Sequence, residues 1–176
     1  MAQAALRRKT KTISLRLDES VEEGLRQSSS EKGLTLNSLA NQVLERYVSW
    51  GRYAEKLGVI PVNKEFLRRV LDFLTDEQAE KVGRELGSFL PRESISVLSG
   101  RFDPEAMIEF LKLWLSRFQG FQFRSNGRQH KFTAVHDINL RYSILLGAFI
   151  EAAVKDFLKK DVRVELTPNS ISFAVS

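Results

Sequence analysis

His130, His136, Asp137 and Ser143 are the residues of this chain whose types come nearest to binding a metal ion or moving a proton. A transition-metal site wants three or four soft or imidazole donors, and the chain has two histidines and no cysteine. One chain therefore falls short of a donor set, although two chains pooling His130, His136 and Asp137 would reach one. On a strand, His130 and His136 are six residues apart and share a face with Phe132 and Ala134, where a histidine is ordinarily satisfied by polar neighbours. His136 and Asp137 are adjacent, so on a strand they point to opposite faces, and with Ser143 they make no proton relay by spacing. There is no glycine-rich phosphate loop: "LSGRFDPE" has a single glycine, and Gly147 lies inside a helical pattern where close packing accounts for it. No catalytic residue, metal or cofactor is expected, and the chain does not read as an enzyme.

Charge offers a second kind of chemistry. Arg7, Arg8, Lys9, Lys11 and Arg16 all precede the first acid, Asp18, so the basic excess of a chain with a net charge of only +5 is gathered at its start. Such a cluster is either a solvated tail or a contact for a polyanion. No run approaches the roughly 18 apolar residues of a membrane span, and "MAQAALRRKTKT" lacks the apolar stretch of a secretory leader. The expectation is a soluble, cytoplasmic protein with no membrane contact. The absence of cysteine fits a reducing compartment.

The elements that would position these residues follow from periodicity. Thr12 to Leu17 alternates strictly, with Ile13, Leu15 and Leu17 on one face and Thr12, Ser14 and Arg16 on the other, the period of a half-buried strand. Asp18 or Ser20 can then cap a helix with Glu19, Glu22 and Glu23 in its first turns, ending at Gly33. Thr35 caps a second helix to about Trp50, striped by Leu36, Leu39, Ala40, Val43, Leu44 and Tyr47. Gly51, Gly58 and Pro61 mark a boundary, so the domains are expected at 1–58 and 59–176.

Beyond the boundary the spacing predicts a helix over 64–74 with Phe66, Leu67, Val70, Phe73 and Leu74 on one face. A further helix is capped by Thr75 with Ala79, Val82 and Leu86 inward, and another starts at Asp103-Pro104 with Met107, Ile108, Leu111, Trp114, Leu115 and Phe118 inward. Asn126-Gly127 signals a hairpin, and a second is expected across Pro168-Asn169-Ser170. Between them the segment around Ile144 to Ile150 is apolar on most of its circumference, so it should be the buried helix of an α+β domain.

A lone strand at 12–17 has no partner nearby. Two short helices cannot cover Ile13, Leu15 and Leu17, so the strand needs a partner strand; if that is the same strand of a second copy, the two form an antiparallel ribbon over four helices. Strand, acidic-start helix, "EKGLT" turn and amphipathic helix, carried by "TISLRLDESV" and "EKGLTLNSLANQVLERY", resemble the ribbon-helix-helix family of DNA-binding repressors over about residues 9–50. The resemblance implies a homodimer whose ribbon enters the major groove of double-stranded DNA. It implies base contacts from Thr12, Ser14 and Arg16, with the planar fork of Arg16 suited to the two acceptors of a guanine. It also implies phosphate contacts at the second helix's first turn, Thr35, Leu36, Asn37 and Ser38, where the backbone amides and helix dipole favour an anion. Arg7, Arg8, Lys9 and Lys11 would add phosphate contacts that set affinity and salt dependence. Ile13, Leu15, Leu17, Leu39, Val43 and Tyr47 would form the dimer interface.

The rest of the chain exceeds what a DNA-binding tail needs. One reading is a domain that senses a small-molecule effector or joins dimers into tetramers. A second is an antitoxin that represses its own operon and binds a toxin through 59–176. Nickel-responsive members of the family share this layout, but their sites use several histidines and a cysteine. The expected function is a transcriptional regulator acting as a repressor at the nucleoid.

Overall fold

The computed structural model describes residues 10–176. Arg7, Arg8 and Lys9, expected to touch phosphate, lie outside these. Contacts divide the chain into two compact units, one ending at Tyr47 and one running from Val48 to Ser176.

In the first unit, α1 (Glu19–Glu31) and α2 (Leu36–Arg46) pack against each other. The turn between them follows from one residue: Gly33 sits at φ +62°, a left-handed conformation that costs glycine nothing. Leu34 N–H then donates to Ser29 O at 2.9 Å and Gly33 N–H to Ser30 O at 3.1 Å, the paired bonds that close a helix C-terminus. Thr35 caps α2 as expected, its Oγ1 accepting from Ser38 N–H at 3.1 Å. Asp18 stands at the N-cap of α1 but its side chain makes no capping bond. Residues 10–18 form no strand, which corrects the expectation for 12–17. The physical reason is that a β-ladder needs two strands, and among the described residues of the first unit there is no other strand to pair with this segment.

A π-helical turn, Tyr47–Gly51, and a short helix α3 (Arg52–Ala54) follow α2. Within the second unit the Arg117 guanidinium lies 4.9 Å from the Trp50 ring and 4.9 Å from that of Trp114.

The second unit is α+β. Its helices are α4 (Lys64–Asp72), α5 (Asp76–Leu98), α6 (Pro104–Leu115) and α7 (Leu140–Leu158). Its strands β1 (Gln122–Ser125), β2 (His130–Val135), β3 (Glu165–Thr167) and β4 (Ser170–Val175) form one antiparallel sheet in the order β1-β2-β4-β3. The two expected hairpins are present and share this sheet, joined by β2 and β4 with Phe132 opposite Phe173. Those two rings stack at 4.8 Å, and inward residues Ala134, Ile171 and Val175 alternate with outward Lys131, Thr133, Ser172 and Ala174. Asn126 shapes the first turn, its Oδ1 accepting from Arg128 and Gln129 N–H at 3.1 and 2.8 Å.

α7 is the buried centre, with Leu146, Phe149, Ile150, Ala153 and Val154 in the core. Its approach to α5 is set by small residues: Ala79, Gly83, Gly87, Pro91 and Ile95 recur every four positions and are all buried. A Cβ on Gly83 would meet Leu145 O at 2.2 Å, and one on Gly87 would meet Phe149 O at 2.3 Å. Val82 and Leu86, expected inward, are half-buried beside this ridge. The face expected of α4 is also corrected. Leu71 is buried and Leu67 and Leu74 half-buried, whereas Phe66, Val70 and Phe73 face outward, Phe73 with 88% of its surface exposed.

Candidate nucleic-acid interface

Thr12, Ser14 and Arg16, expected to read bases, and Lys11, expected to touch phosphate, are all exposed. So are Thr35, Asn37 and Ser38 at the start of α2, with Leu36 half-buried. The first N–H groups of a helix have no partner inside it. Thr35 takes that of Ser38, which leaves the amides of Leu36 and Asn37 directed along the positive end of the helix dipole. Thr35 Oγ1 also donates to Ser38 Oγ at 2.8 Å, so the two hydroxyls are held together on this turn. The turn has the donors a phosphate oxygen accepts from, and Lys11 and Arg16 are cations on the preceding segment.

The expected dimer interface divides in two. Leu39 is 4% exposed and is buried within the chain itself, as the residue that seals α1 against α2. Ile13, Leu15 and Leu17 are 68, 62 and 45% exposed, and Val43 and Tyr47 are exposed by half or more. Among residues 10–47 only Ser29 and Leu39 are buried. A unit of this size has little apolar burial to set against the entropy of ordering its backbone. Val21 and Leu44 are exposed as well, so the apolar surface of this unit extends beyond the residues expected at an interface.

Of His130, His136, Asp137 and Ser143, only His136 and Ser143 meet. β2 ends at Val135, and Asp137 turns the chain at φ 56°. His136 is thereby 1% exposed, with Nε2 2.8 Å from Ser143 Oγ, a pairing that strand alternation did not suggest. Ile138 N–H donates to His136 Nδ1 at 3.2 Å, so in the neutral ring the proton sits on Nε2 and is donated to Ser143. Ser143 Oγ in turn donates to Thr167 O at 2.6 Å. The polarity runs from histidine to serine to carbonyl, opposite to that of a base drawing a proton from a nucleophile. Burial lowers the His136 pKa to about 4, which keeps the ring neutral.

The same loop closes the fold around itself. Asn169 O accepts from His136 N–H at 2.9 Å and from Asp137 N–H at 3.2 Å, tying β2 to the β3–β4 turn. Asn139 caps α7 by accepting from Tyr142 N–H at 2.9 Å and donates to Asp72 Oδ1 at 3.0 Å, while Arg68 Nε donates to Ile138 O at 2.8 Å. Asp137 is exposed, His130 lies at the far end of β2, and among the described residues no group of three His, Asp or Glu side chains is placed to hold a metal ion. Nor is any described helix long and apolar enough to cross a membrane.

No protein-family model matches the chain, and comparisons with curated proteins and with solved structures find no match.

Proposed function

We propose that this protein is a dimeric, site-selective DNA-binding regulator, a repressor working at the nucleoid. Residues 12–17 of two copies pair as an antiparallel ribbon, the aliphatic side over the helices and Thr12, Ser14 and Arg16 into the major groove. The observation that supports it most is the joint exposure of Ile13, Leu15, Leu17, Val43 and Tyr47 in a unit whose described residues bury only Ser29 and Leu39. A second copy covers that surface, gives the segment its missing edge and turns the polar face outward. Arg16 reads a guanine, Thr12 and Ser14 tune neighbouring bases, and the first turn of α2 with Lys11 holds the phosphates. The second unit has a core of its own built on α5, α6, α7 and the sheet, which favours a sensing or assembly role over a segment that orders only around a toxin.

The test compares Arg16→Ala with Lys11→Ala on a selected site and on a random duplex. Arg16→Ala should lose about 1 to 3 kcal/mol on the selected site and relax preference at one base pair, while Lys11→Ala weakens both duplexes alike. Equal losses on both duplexes for both changes would remove the ribbon from the reading role.

A further inference from the structure

α4 carries an apolar stripe that its own unit leaves uncovered. Leu71 is buried and Leu67 half-buried, while Phe66, Val70 and Phe73, at i, i+4 and i+7, share the outer face and are 63, 45 and 88% exposed. Two phenylalanines and a valine exposed to that degree present on the order of 400 Å² of apolar surface. A single exposed aromatic is ordinary, but a contiguous stripe of this size is in the range where surface patches have a function. An interface of standard size takes about 800 Å² from each partner, a little over half of it apolar, so the stripe is enough for the centre of a small one.

The stripe is built to match itself. Phe66 and Phe73 are seven residues apart with Val70 near the midpoint. A twofold axis passing between residues 69 and 70 therefore sets Phe66 of each copy against Phe73 of the other and brings the two Val70 side chains together. The helices then run antiparallel, with opposed dipoles. The same operation complements the charges beside the stripe. Arg69 and Asp72, at i and i+3, lie on one flank, with 76 and 48% of their side chains exposed. Arg69 of each copy falls about 3 Å along the axis from Asp72 of the other. Each Arg69 also keeps Glu65 of its own helix at 3.0 Å, so the two guanidiniums that approach near the axis bring their own counter-charge.

We propose that α4 is a self-association face that packs antiparallel on α4 of a second copy. An interface of this area is weak between free chains, with a dissociation constant on the order of 0.1 mM. It becomes effective where ribbon dimers on neighbouring half-sites hold two such faces close. That last step rests on the DNA-binding reading; the contact itself rests on the second unit alone.

Sedimentation of the full chain without DNA, from about 1 to 500 µM, reads the contact. The wild type should pass from dimer to tetramer at the upper end. Phe66→Glu with Phe73→Glu, both at exposed positions, should weaken that step at least about tenfold and leave the dimer. Leu15→Lys should be monomeric when dilute and dimerise only at the upper end, and adding the α4 changes should leave a monomer throughout. If the ribbon alone is at fault, the wild type is monomeric when dilute and still dimerises at the upper end in an α4-sensitive way. The chain has no cysteine, so Val70→Cys, beside the axis, should form an intermolecular disulfide at least about tenfold faster than Lys81→Cys, exposed on α5. No association step sensitive to the α4 changes, or cross-linking of Val70→Cys no faster than that of Lys81→Cys, would overturn the assignment.

Discussion

Burial holds His136 neutral, and the consequence is a stability that depends on pH. Its pKa falls from about 6.5 in the unfolded chain to about 4 in the folded one. Between those values the unfolded state binds a proton that the folded state refuses, so stability is full above about pH 6.5 and is lost as pH falls toward 4. The loss across that window should be about 3 kcal/mol, from the linkage between pKa and folding. Urea unfolding of the wild type and of His136→Gln at several pH values checks it: the difference between their slopes should vanish above pH 6.5, and a parallel decline would assign the acid sensitivity to carboxylates alone. The pairing of His136 with Ser143 was not legible in the sequence because it depends on β2 stopping at Val135 and on the left-handed turn at Asp137. Alternation would have kept the two apart. What the sequence did show was the shortage of metal donors, which needs only a count of residue types.

At the scale of elements, caps and turns were the legible part. Thr35, Thr75, Asp103 and the Asn126-Gly127 turn all stand where their types placed them, because these features involve neighbours within a few residues. Which face of a helix turns inward was harder. α4 has two apolar stripes, and the Leu67-Leu71-Leu74 side won because it meets α7, leaving Phe66 and Phe73 outside. The ridge of α5 escaped hydrophobic pattern reading since its key residues, Gly83 and Gly87, are not hydrophobic. They are small, and α7 backbone carbonyls occupy the space a side chain would need. Gly83→Ala and Gly87→Ala should each destabilise by about 1 to 3 kcal/mol or more, with near-normal far-ultraviolet circular dichroism, because a carbonyl cannot yield without moving its helix. A change below about 0.5 kcal/mol in either would contradict that close approach. In the first unit, Leu15→Lys places a charge on the aliphatic face of the proposed ribbon. Sedimentation should show loss of the dimer, and an undiminished dimer at micromolar concentration would contradict a ribbon interface.

For the molecule as a whole, the two units differ in how completely they are finished. The second closes its own core, and its α+β class follows from helix and hairpin signals that are local in sequence. The first has its helices in place and its aliphatic segment exposed, and the proposed function rests on that segment. The period of two at 12–17 led to the expectation of a strand that the chain does not form, because a period is a property of one chain and a ladder needs two edges. The most direct test of the account is to select duplexes from a random pool with the full chain, then titrate a selected site and an unselected one at several salt concentrations while counting bound chains. The account predicts an even number of chains per selected site, and a selected-over-random preference of at least about 10³-fold that persists as salt weakens both affinities. Failure to enrich any sequence, or binding as single chains with equal affinity for every duplex, would contradict it.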